Sequence, residues 1–180
     1  MLSLAQTQKK FLIKFLCVFA FLYGGTYGFI ALASPSGKLS WPMLQALDYV
    51  AAYRKLLLHG AGQCLEWLGY TAAYPDAYRL QINDANRVQL VYDCLGIGII
   101  SFWIAWCTAA AHAWKFRLVW IFGGSVLITL LNMQRIALLL IAHYEHWNIF
   151  AGIDHHDMYN MVIYTVLLLL LLLHYRLVKE

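Results

Sequence analysis

A cysteine, an arginine and two histidines sit where an otherwise apolar chain turns polar. Cys94 closes a polar segment and opens an apolar one, within Tyr92-Asp93-Cys94-Leu95-Gly96-Ile97-Gly98. Arg135 interrupts a later apolar run, three residues after Asn132. His155 and His156 stand directly before the last apolar run. A thiolate attacks acyl carbonyls, and its pKa falls beside a positive charge or an imidazolium. A guanidinium stabilises such a thiolate, or the oxyanion formed on attack. An imidazole protonates a leaving amine and then activates the next nucleophile. Gly96 lets a substrate backbone come close. These types suit acyl transfer by a cysteine, if the elements between them bring them to one level.

The elements are those of a membrane protein. The 180 residues are 62% hydrophobic and 12% charged, with a mean hydropathy of +0.62. Soluble domains carry about 25% charged residues. The net charge of +4 is small and matters by its placement, so nucleic acid is not an expected partner. The four cysteines, Cys17, Cys64, Cys94 and Cys107, have neither zinc-module nor CxxC spacing. Cys17 and Cys107 lie inside apolar runs and read as small buried residues.

A single membrane domain, 1–180, is expected, an all-α bundle of about four spans. They fall at about 11–33, 95–113, 118–142 and 159–178, each near the 20 residues that cross a bilayer core. The first is too long for a signal-peptide core and reads as retained. An outer loop covers 34–93. Within it, 41–68 has apolar residues at helical spacing (Leu44, Leu47, Val50, Ala51, Leu57, Leu58, Leu65), interrupted by Asp48, Arg54, Lys55, His59 and Glu66. That predicts an amphipathic helix at the membrane surface, with a bend at Gly60-Ala61-Gly62. Residues 78–82 and 87–91 alternate polar and apolar around Asn83-Asp84-Ala85-Asn86, which predicts a short β-hairpin outside the bilayer.

Basic residues set the orientation. Lys9, Lys10, Lys14, Lys115, Arg117, Arg176 and Lys179 collect on one side, while eight of the nine acidic residues collect on the other. The positive-inside rule then places both termini in the cytoplasm. Cys94 falls at the outer boundary, and so do His155 and His156. From an inner start near Leu118, a rise of about 1.5 Å per residue puts Asn132 roughly 21 Å and Arg135 roughly 26 Å up. Arg135 thus approaches the outer edge of a core of roughly 30 Å. Residues three apart share a helix face, which pairs Asn132 with Arg135. An arginine at this depth is either a snorkelling anchor or faces the bundle. The shared level of thiol, guanidinium and imidazole favours a site.

At these residues the chain resembles the exosortase/archaeosortase family of membrane cysteine transpeptidases. The resemblance rests on Asp93-Cys94-Leu95-Gly96-Ile97, Asn132-Met133-Gln134-Arg135-Ile136 and Asp154-His155-His156-Asp157-Met158-Tyr159-Asn160. It covers roughly 78–173. It implies Cys94 as nucleophile, Arg135 as its electrostatic partner and His156 as general acid/base. Asn132, Gly96, His155, Asp93, Tyr159 and Asn160 would support them. His156 is preferred to His155 because Tyr159-Asn160 match the residues that follow the family's histidine. Leu95 stands where serine or alanine is common, and Asn160 where glycine is. The implied partners are exported proteins with a C-terminal tag of motif, apolar helix and basic end, a cell-surface acceptor and membrane lipid. The implied location is a prokaryotic cytoplasmic membrane with the site facing outward. No cofactor and no metal are implied. Trp103, Trp106, Tyr144, Trp147 and Tyr159 are candidates for a substrate groove, although interfacial belt positions suit most of them.

Three other readings compete. His143, His146, Asp154, His155, His156 and Asp157 are competent zinc ligands, and His156 to Asn160 reads HxxxN. A metal-dependent membrane protease would also want a paired glutamate base, which the chain lacks. A haem or quinone subunit would want histidines facing one another within spans, whereas His112, His143 and His174 sit at their ends. A non-catalytic assembly factor would leave Cys94 dispensable, and a Cys64–Cys94 disulfide would block it; a free Cys94 is expected. Glu145 and Asp157 read as solvated loop residues, and His59 as a surface residue.

Overall fold

The computed structural model describes residues 4–33, 47–84, 86–110, 113–147 and 155–179. Five helices and one small sheet make up these residues: α1 (Leu4–Ala33), α2 (Tyr49–Trp67), β1 (Ala72–Asp76), β2 (Arg79–Ile82), β3 (Arg87–Gln89), a 3-10 turn (Tyr92–Leu95), α3 (Ile97–Ala109), α4 (Trp114–Tyr144) and α5 (His155–Lys179). Three helical stretches are long and apolar enough to cross a membrane: Gln6–Ala33, Trp114–Tyr144 and Tyr159–Leu177. The expected second span is shorter than predicted. The helix begins only at Ile97, because Gly96 adopts a left-handed conformation that closes the 3-10 turn before it. Its 13 residues rise roughly 20 Å.

The chain forms two compact units, one of residues 1–50, 97–126 and 174–180, the other of 51–96 and 127–173. In the first, α1 carries a ladder of aromatic rings at every fourth residue: Phe11, Phe15, Phe19, Tyr23 and Tyr27. Four residues is close to one helical turn, so the rings share a face. That face meets α3 edge-on, through Phe11 with Trp106 and Phe15 with Phe102. Trp103 is fully buried and donates its indole N–H to the Trp120 carbonyl at 2.9 Å. Trp106 donates to His174 Nδ1 at 3.3 Å. The ring of His174 is buried among Trp103, Phe116 and Trp120. Trp103 and Trp106 therefore build this aromatic core, not a substrate groove. Cys107 is buried as expected, but Cys17 is exposed on α1.

In the second unit α2 buries Arg54, Leu57, Leu58, Ala61 and Leu65, and α4 buries Ile128, Asn132, Met133, Ile136, Ala137, Leu140 and Ile141. Both sets recur at helical spacing and mark one face each. The expected bend at Gly60-Ala61-Gly62 is absent, since α2 runs unbroken from Tyr49 to Trp67. The glycines serve close approach instead. A methyl at Gly60 would meet the Met133 side chain, and one at Gly62 the Tyr74 hydroxyl. The part of the amphipathic segment before Leu47 lies outside the described residues.

The predicted hairpin forms. β2 and β3 pair antiparallel, with Arg79 opposite Gln89 and Leu80 opposite Val88. Leu80 and Ile82 point into the core while Arg79 and Gln81 do not, as strand alternation requires. At the turn Asn83 and Asp84 take positive φ, a conformation these residue types tolerate best after glycine. The Asn83 side chain accepts hydrogen bonds from the Thr71 N–H and hydroxyl, at 2.8 and 2.9 Å. β1 adds a third strand that periodicity does not reveal. It contains Pro75, and its register with β2 is irregular between Ala73 and Asp76. An edge position and a bulge are where a strand accepts proline.

Candidate active site

Cys94 is the third residue of the 3-10 turn, half-buried and a free thiol. Extended backbone at Val91 leads into the turn, and Gly96, with φ of 73°, leads out. The Cys94 N–H donates to the Val91 carbonyl at 3.0 Å. Leu95 is fully buried and anchors the turn in the apolar core. Asp93 is exposed beside the thiol.

Asn132 holds this turn from α4. It is only 3% exposed and donates from Nδ2 to the Cys94 carbonyl at 3.0 Å. A side chain at position 96 would lie 3.4 Å from the same Nδ2. That is an ordinary contact distance, so what calls for glycine there is the left-handed backbone and not the space. The turn carrying the thiol is thus held by a half-buried hydrogen bond and one positive φ. Arg135, half-buried, follows one helical turn along α4. Cys94, Gly96 and Asn132 are brought together in this way, and Arg135 stands on the element that holds them.

His155 and His156 open α5. Their side chains, and the whole of Asp154, lie outside the described residues, so the acid/base assignment has no geometry to test it. The aromatic and amide that follow, Tyr159 and Asn160, are half-buried on α5. Among the described residues no group of three His, Cys, Asp or Glu side chains could hold a metal ion. His143 and Glu145 instead help to close the end of α4. The His143 carbonyl accepts from Asn86 Nδ2 at 3.1 Å, and Glu145 accepts from the Tyr70 hydroxyl at 3.2 Å. Burial, and then the Glu145 charge, push the Tyr70 phenol up. Tyr144 packs edge-on against Tyr70.

Cys64 is also a free thiol, and burial pushes its pKa up, which lowers its thiolate fraction.

Arg54 is a residue to which sequence reasoning gave no role beyond interrupting the apolar spacing of the amphipathic segment. It is 3% exposed and stacks its guanidinium on the rings of Tyr78 and Tyr92, each 4.6 Å away. Tyr92 begins the same turn that carries Cys94. A signal was present: positions 54, 57, 58, 61 and 65 form one helical face, and the arginine lies on it.

The family model for transmembrane exosortases matches residues 6–173. The chain belongs to the transmembrane exosortase family. The match takes in α2, α3, α4, the sheet and the Cys94 turn, with all but the outer ends of α1 and α5. No curated protein and no solved structure matches the chain. A transmembrane exosortase is a membrane transpeptidase, which agrees with the spanning helices of this one.

Proposed function

We propose that this exosortase cleaves a C-terminal sorting tag from exported proteins and transfers the product to a cell-surface acceptor, with Cys94 as nucleophile. The observation that carries this reading is the buried Asn132 amide bonded to the Cys94 carbonyl. It orients a free, half-buried thiol from the helix that also bears Arg135.

The Cys94 thiolate attacks the scissile carbonyl, and the peptide π-electrons move onto oxygen. Arg135 offers positive charge to the thiolate or to that oxyanion, in a site where electrostatic stabilisation is strongest when pre-organised. Collapse of the adduct expels the amine of the tag, which takes a proton from the imidazolium of His156. A thioester on Cys94 remains. His156 then removes a proton from the acceptor nucleophile as it attacks the thioester, and the thiolate leaves. Positive-inside orientation would set these events at the outer membrane boundary, with both termini in the cytoplasm. A tag helix with a basic end would lie among the spans in the same sense, which brings its motif to the level of Cys94.

The test replaces Cys94 with alanine in the native host. An uncleaved membrane-retained precursor is expected to accumulate. A thiol alkylator should reproduce the effect and a chelator should not. Normal processing in the Cys94→Ala strain would sink the assignment.

A further inference from the structure

Arg54 is the side chain whose placement the cysteine chemistry leaves unexplained. At 3% exposure its guanidinium has lost nearly all hydration, which is unfavourable unless an anion or a set of acceptors replaces it. Two tyrosine faces cover it at 4.6 Å, and cation–π attraction offsets part of the loss. Its Nε has no hydrogen-bond partner. Arg54 lines a groove of about 380 Å³ together with Lys55, His59, Tyr74, Asp76 and Tyr78. The one carboxylate there is already engaged. Asp76 pairs with Arg79 at 3.4 Å and accepts from the Tyr78 N–H at 2.8 Å.

We infer that this groove is an oxyanion-binding site of the phosphate class, with Arg54 at its base. The two rings cover the guanidinium carbon, and its N–H groups are what it can offer an acceptor. One planar carboxylate would be satisfied by those N–H groups alone. The groove adds an ammonium and an imidazole from Lys55 and His59, and a tetrahedral phosphate has oxygens for donors arriving from several directions. Its occupant is a phosphate, either free or as the ester of a lipid headgroup. The inference does not depend on Cys94 or on peptide cleavage.

The test is thermal unfolding of the delipidated full chain in detergent, read by tryptophan fluorescence. Inorganic phosphate is titrated against chloride at equal ionic strength. The midpoint should rise and saturate, as for a ligand that binds only the folded state. Arg54→Gln should abolish the rise. Lys55 and His59 are exposed, so Lys55→Gln and His59→Gln should fold normally and each weaken phosphate by about tenfold, the loss expected for a charged hydrogen bond. These two keep the inference testable if Arg54→Gln does not fold. Dihexanoyl phosphatidylglycerol binding more tightly than inorganic phosphate would assign the headgroup as the source; equal or weaker binding would assign free phosphate. No saturable rise, or a rise untouched by Lys55→Gln and His59→Gln, overturns the site. So does a larger rise with acetate than with phosphate, which would make it a carboxylate subsite for peptide.

Discussion

At the residue scale the candidate nucleophile is held by its backbone. The Asn132 amide bonds the Cys94 carbonyl, and Gly96 has the left-handed backbone that turns the chain into α3. Asn132→Ala leaves that carbonyl without its amide partner, which typically costs about 1–3 kcal/mol. The expected outcome is slower precursor processing while Cys94 still reacts with iodoacetamide in the purified protein. Processing at the wild-type rate would show that the amide does not position the turn. Asn132, Arg135 and Cys94 each stood out in the sequence, since polar residues in or beside apolar runs are conspicuous, and the expected topology put them at one depth. The bond between Asn132 and Cys94 was not legible, because 38 residues separate the partners. The burial of Arg54 was hidden for a related reason. A charged residue on an amphipathic helix normally faces water, and the two rings that cover it come from elsewhere in the chain.

At the element scale the glycines divide into those that touch something and those that do not. Gly123 and Gly124 are neighbours on α4. A methyl at Gly123 would meet nothing within 4 Å, while one at Gly124 would fall on the Trp103 indole. Alanine for glycine in an open helix gains about 1 kcal/mol, so Gly123→Ala should leave the melting temperature of the purified protein unchanged or raised. Trp103 is fully buried and its N–H is bonded to Trp120, which leaves the ring little room to move. Gly124→Ala should lower stability by about 1–3 kcal/mol, the usual range for overpacking. Equal melting temperatures for the two variants would contradict this packing. The same distinction explains why Gly60 and Gly62 do not bend α2. Sequence marks a glycine as a permissive position, but the neighbour that requires it belongs to another element.

At the scale of the whole molecule, the described residues of the exosortase hold three helical stretches of spanning length and a shorter apolar helix that follows the cysteine turn in the chain. Charge placement predicts that the turn faces outward. A membrane-impermeant maleimide added to intact cells is expected to label Cys94 and to spare Cys17 and Cys107, which lie in apolar helices. Cys64 should label more slowly. Burial raises its pKa, so less thiolate is present at a given pH, and its labelling should climb only above the ordinary thiol range. Labelling of Cys94 solely after lysis would reverse the orientation.

The apolar runs, their lengths and the skew of basic residues determined that this is a helical membrane protein, since a spanning segment must satisfy its backbone internally and bury few charges. Strand alternation likewise determined the β2–β3 hairpin. Residue types at the edges of the runs named the candidate chemistry. The fold in three dimensions decided where α3 begins, that β1 joins the sheet, that Trp103 and Trp106 pack around His174, and that Asn132 grips the Cys94 turn. Each of these depends on contacts between residues far apart in the chain, and local periodicity carries no record of which distant face an element will meet.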